Sequence, residues 1–132
     1  MEKSRAIQFV QDIYASFGRA DIAAVLSALS DDVDWQVFGP PVIPYAGMRH
    51  GREQVAEFFT ALGTCLDIQQ FEPREFVADG DTVVVFGYER GEARATKRPY
   101  EANWVHMFTL RQGKVSQFRE YIDTAAVASA LK

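Results

Sequence analysis

The chain has 132 residues, a length usual for one domain, and its 48% apolar and 24% charged residues support a packed core rather than disorder. Its net charge is −4, and the 14 Lys and Arg residues are scattered, which excludes the concentrated basic stripe that a nucleic-acid surface needs. Cys65 is the only cysteine, and the two histidines, His50 and His106, fit no HExxH spacing, so the sequence proposes no disulfide, no metal site and no cofactor.

The first seventeen residues, MEKSRAIQFVQDIYASF, are amphipathic and carry acids, unlike the apolar stretch of a signal peptide. No segment approaches the ~20 apolar residues of a membrane span. The expectation is a cytoplasmic protein with no membrane partner. Within this stretch Ile7, Val10, Tyr14 and Phe17 recur at helical spacing, with Ser4 as a candidate cap and Gly18 as a stop. Asp21 then caps a second helix through Ile22, Val25, Leu26 and Leu29, broken at Ser30-Asp31-Asp32.

Val33, Trp35 and Val37 alternate with Asp34 and Gln36, the pattern of a half-buried strand. The proline-rich run from Gly39 to Gly47 reads as an irregular loop, in which Tyr45 and Met48 form either a lid or a plain connection. Arg52 to Leu62 is a third helix, with Val55, Phe58, Phe59 and Leu62 on one face and Gly63 ending it. Strands follow at 67–78, 82–88, 99–111 and 114–122, with turns at Asp79-Gly80-Asp81, at Gly91 and at Gln112-Gly113. The mixed charges from Glu89 to Arg98 read as a solvated hairpin. Asp123 opens a short last helix, Ala125 to Leu131.

Helices first and then long antiparallel strands make an α+β layout, one domain over 1–132. Long strands twist, so helices laid on the concave side of the sheet leave a cone with a hollow. Trp104, His106 and Phe108 share one strand face, a fitting wall for an apolar pocket with one polar group. Two readings of His106 stand open: a core imidazole with its hydrogen bonds satisfied, or a functional group. Trp35, Val37, Phe58, Phe59, Phe86 and Glu120 complete the candidate pocket contacts. Asp123, ahead of Thr124, is either an N-cap alone or also a catalytic base. Glu120, at the opposite strand parity, is the reserve base if a bulge reverses which face looks inward.

The runs Tyr14…Gly18-Arg19-Ala20-Asp21, Ser30-Asp31-Asp32-Val33-Asp34-Trp35 and His50-Gly51-Arg52-Glu53-Gln54-Val55 carry a likeness, continued by Ala78-Asp79-Gly80-Asp81, Trp104-Val105-His106-Met107-Phe108 and Arg119-Glu120-Tyr121-Ile122-Asp123. Over nearly its whole length the chain resembles the SnoaL-like polyketide cyclase and ketosteroid isomerase-like branch of the nuclear transport factor 2-like superfamily. The resemblance implies a cone-shaped, cystatin-like fold of three N-terminal helices on a strongly curved antiparallel sheet, and a homodimer through the sheets. It also implies an acid–base aspartate at Asp123, a histidine at His106 and a first-helix tyrosine at Tyr14. Val37 stands where the isomerase base would be, so steroid-type isomerisation is not expected.

Tyr14 and His106 are suited to stabilise a developing enolate, with Asp123 taking the α-proton. The expected function is acid–base chemistry of the isomerase or cyclase type on a small apolar carbonyl compound, without a cofactor. The alternatives are a non-catalytic small-ligand-binding module and a dimeric interaction module of the same fold.

Overall fold

A computed structural model describes residues 2–132. Helix α1 (Lys3–Gly18) buries Ala6, Val10 and Ile13, while Ile7, Tyr14 and Phe17 are partly buried at its edge. It starts before Ser4, so that residue lies in the first turn and not at the cap. Gly18 does not end the turn by its own conformation. The left-handed residue is Ala20, at φ 59°. Asp21 caps α2 (Ile22–Ser27), accepting from the Ala24 N–H at 3.1 Å.

Strand β1 (Leu29–Val37) begins four residues earlier than the alternation at Val33 suggests, because Leu29 pairs with Val115 and is fully buried. The segment 38–46 buries Ile43 and Tyr45 before β2 (Gly47–His50), a four-residue edge strand within what reads in sequence as loop. Helix α3 (Gly51–Cys65) runs past Gly63. Strands β3 (Leu66–Asp79), β4 (Thr82–Ala93), β5 (Pro99–Arg111) and β6 (Lys114–Ile122) follow, then α4 (Thr124–Leu131).

The six strands form one sheet in the order β2-β1-β6-β5-β4-β3. It is mixed rather than wholly antiparallel: β1 lies parallel to β6, and the other neighbours are antiparallel. Register shifts in β3 at Ile68/Gln70 and Pro73/Glu75 bend that strand. A further shift leaves Ser116 unpaired, since Thr109 faces Gln117 while Leu110 faces Val115. Val115 and Phe118, three residues apart, are therefore both buried, and Glu120 and Ile122 follow on the inner face.

Strand β4 extends five residues beyond its sequence-based limit. Its inner face carries Val83, Val85, Gly87, Glu89, Gly91 and Ala93, so the solvated hairpin shrinks to the 94–98 tip and Glu89 is buried. The two glycines are required by close approach. A Cβ on Gly87 would lie 2.2 Å from the Trp104 indole, and one on Gly91 would lie 2.1 Å from the Asp67 carbonyl oxygen. No helix among the described residues is long and apolar enough to cross a membrane.

An alanine held in the left-handed region costs about 1–2 kcal/mol, of which glycine's extra unfolded-state entropy cancels part. Ala20→Gly should therefore stabilise the chain by roughly 0.5 kcal/mol. Urea unfolding reads this directly, and an unchanged or lowered midpoint contradicts it.

Candidate functional site

Between the α1–α3 layer and the inner sheet face lies a cavity of about 620 Å³ of atom-free space, open mouth included. Its walls are mostly rings. Helix α1 supplies Tyr14 and Phe17, and α3 supplies Phe58 and Phe59. The sheet adds Trp35, Phe71, Phe108 and Phe118, and Tyr45 comes from the segment after β1. Trp35 stacks on Phe118 at 3.9 Å between centroids, and Phe58 and Phe59 meet it at 5.6 Å each.

One polar chain crosses this aromatic shell. Tyr14 Oη lies 2.7 Å from Nδ1 of His106, whose Nε2 lies 2.9 Å from Oε1 of Glu120. The imidazole side chain is 7% exposed and the carboxyl side chain 13%, so both ring nitrogens find partners away from bulk water. With Glu120 as a carboxylate, which only accepts, the proton belongs on Nε2, and Nδ1 then accepts from the Tyr14 O–H. Burial, and secondarily the Glu120 charge, push the Tyr14 phenol well above its ordinary value, which keeps it protonated. Trp104 stacks flat on the imidazole at 3.9 Å and 16°, which fixes the ring plane.

Sequence reasoning missed a second polar group. Glu89 is 4% exposed, lines the cavity, and accepts a hydrogen bond on Oε2 from the Tyr100 O–H at 2.6 Å. Burial, and then the neighbouring Glu120, push its carboxyl up to about 7. Burial also raises Tyr45 and Tyr100. The alternation along β4 was the signal that places Glu89 inside, and the surrounding charges obscured it.

The candidate residues divide as follows. Tyr14, His106 and Glu120 are joined in one chain, and Trp35, Phe58, Phe59 and Phe108 line the cavity with them. Asp123 is a correction: it is exposed, absent from the cavity wall, and caps α4 by accepting from the Ala126 N–H at 3.3 Å. The Ser116 bulge turns Glu120 inward in its place. Phe86 is a second correction, 43% exposed on the outer face of β4. Val37 is buried in register with Glu120, but it and Trp104 lie beside the cavity wall rather than on it. Tyr45 is a buried wall residue, whereas Met48 is exposed. No group of three His, Cys, Asp or Glu side chains among the described residues could hold a metal ion.

Helices laid over a curved mixed sheet, enclosing an aromatic cavity with a buried acid–base chain, define a protein of the nuclear transport factor 2-like class. Within that class the SnoaL-like domain matches residues 10–118, and the chain belongs to the SnoaL-like family. A solved NTF2-like protein from Burkholderia xenovorans LB400 is 36% identical over 100% of this chain and 99% of its own, with a TM-score of 0.90. An NTF2-like protein of unknown function from Burkholderia pseudomallei K96243 is 29% identical over 100% and 99%, with a TM-score of 0.87. TerC, solved after co-crystallisation with polyporic acid, is 29% identical over 96% and 97%, with a TM-score of 0.86. No curated protein matches the chain.

The raised Glu89 carboxyl has a stability consequence. Between its ordinary 4.5 and about 7 the folded chain holds a proton that the unfolded chain has released. Folding stability therefore falls as pH rises through that window, by about 3 kcal/mol for a shift of this size. Glu89→Gln removes this slope. The variant should match wild type near pH 5 and exceed it at pH 8 in urea unfolding, and a difference independent of pH contradicts the burial argument.

Proposed function

We propose that the chain is an acid–base enzyme of the isomerase or cyclase type, which uses its own side chains on a small, flat, conjugated carbonyl compound. The observation that carries this reading is the Tyr14–His106–Glu120 chain opening into an aromatic cavity. A C–H proton between two carbonyls, or the enol O–H proton, passes to the Tyr14 oxygen as the phenol proton moves to Nδ1 and the Nε2 proton moves to Glu120. Run backwards, the same relay delivers a proton. With His106 as an imidazolium, Nδ1–H donates to the Tyr14 oxygen, and the phenol O–H is free to stabilise an enolate in a dry site. The aromatic walls suit a planar ligand, and TerC's co-crystallisation with polyporic acid supports an aromatic one.

Benzoylacetone serves as an enolisable probe and polyporic acid as a binding probe. Wild type should accelerate exchange of the benzoylacetone C2 hydrogens in D2O, followed by NMR. Tyr14→Phe and His106→Gln should each slow that exchange by about 10²-fold or more. Catalysis unaffected by either substitution sinks the relay. Exchange at the buffer rate, with polyporic acid still binding by calorimetry, would replace the enzyme by a binding module.

The homodimer expected from the resemblance would use the outer sheet face, where Phe86 and Tyr121 are 43% and 46% exposed. Phe86→Glu should then shift the sedimentation of the chain from dimer to monomer, and a wild type that sediments as a monomer removes this part of the proposal.

A further inference from the structure

We infer that Glu89, oriented by Tyr100, is a second recognition point in the cavity that donates a hydrogen bond to a ketone or quinone oxygen of the ligand remote from Tyr14. This rests on the acid–base reading above and adds a ligand class: a flat conjugated compound with two separated oxygen acceptors.

The geometry carries it in three steps. The Glu89 side chain lines a mostly aromatic cavity, and Tyr100 is its one hydrogen-bond partner among the described residues. The Tyr100 O–H occupies Oε2 as a donor, so Oε1 is left uncommitted. Oε1 is not one of the sealed, partnerless polar atoms of the core, which leaves it open to the cavity. Glu89 stands in register with Ala102 on β5 and with Phe71 on β3, and Gly87 and Gly91 flank it on the inner face of β4. Ala102 precedes His106 by four residues on β5, about 13 Å along the strand. That offset places Glu89 and the Tyr14–His106 chain at two distinct points of the cavity wall.

The protonation state follows from what surrounds the group. Tyr100 from β5, Tyr45 from the 38–46 segment, Glu120 from β6, His106 from β5 and Tyr14 from α1 are the titratable groups around this cavity. Burial and the Glu120 charge hold the Glu89 carboxyl near 7, so it is largely a donor at pH 6 and largely an acceptor at pH 8. A purely structural anchor for Tyr100 would need only an acceptor, which a glutamine also provides.

The test compares benzoylacetone with 1-(4-acetylphenyl)butane-1,3-dione, which adds one oxygen acceptor across the ring. Both share the reacting diketone, so their affinity ratio by calorimetry cancels the titration of the relay and needs no catalysis. Wild type should prefer the acetyl probe by about 10-fold at pH 6 and lose the preference at pH 8. Glu89→Gln, whose amide donates at every pH, should keep the preference at both. Glu89→Leu should show none. A wild-type ratio that is the same at pH 6 and pH 8, a preference that survives in Glu89→Leu, or binding of neither probe overturns the inference. Tyr14→Phe, which should slow exchange without changing the ratio, separates this outcome from a failure of the relay.

Discussion

An imidazole shared between a phenol and a carboxylate is the interaction on which the rest of this structure depends. It joins α1, β5 and β6 through two hydrogen bonds of 2.7 and 2.9 Å. An imidazole buried among rings without partners would cost several kcal/mol, so its position is tolerable only while Tyr14 and Glu120 stay in reach. That requirement fixes how far the helix stands off the sheet. Trp104, stacked on the imidazole, and Phe71, stacked on Trp104 at 5.0 Å, extend the constraint into β3. The cavity is the space this stand-off leaves.

Keeping that space open depends on backbone irregularity. Bulges bend β3, and Gly87 and Gly91 let the Trp104 ring and the β3 backbone come closer to β4 than any side chain would allow. The packing is not free of cost. The indole N–H groups of Trp35 and Trp104 are buried without a hydrogen-bond partner among the described residues, at about 1–3 kcal/mol each. For the two indoles, flat stacking at 3.9 Å on Phe118 and on His106 sets the ring planes, and the N–H direction follows from the plane.

Much of this was legible in the sequence because it is written in local periods. The helices, the long strands, the shared face of Trp104, His106 and Phe108, and the cap at Asp123 all follow from spacing and turn chemistry. What failed was non-local. Strand β2 has four residues and owes its order to pairing with β1, and the parallel β1–β6 contact belongs to topology rather than to either strand. The choice between Asp123 and Glu120 turned on one unpaired residue, Ser116, whose bulge shifts the alternation by one and exchanges which carboxylate looks inward. Glu89 was misplaced for the opposite reason: its alternation was regular, but the charges around it outweighed the pattern.

The two carboxyls do not play equal parts. Glu120 accepts a hydrogen bond from an imidazole N–H, whereas Glu89 accepts one only from a phenol. The Glu120 charge adds to the burial that raises Tyr14, Tyr45, Tyr100 and Glu89. One anion that keeps its neighbours protonated leaves a cavity lined by neutral O–H groups. Such a lining favours ligand oxygens that accept hydrogen bonds, and it disfavours further anions, which would meet Glu120 in a medium too poorly polarisable to screen them. The same arrangement lowers stability as Glu89 ionises, which is the ordinary cost of burying an acid in an apolar wall.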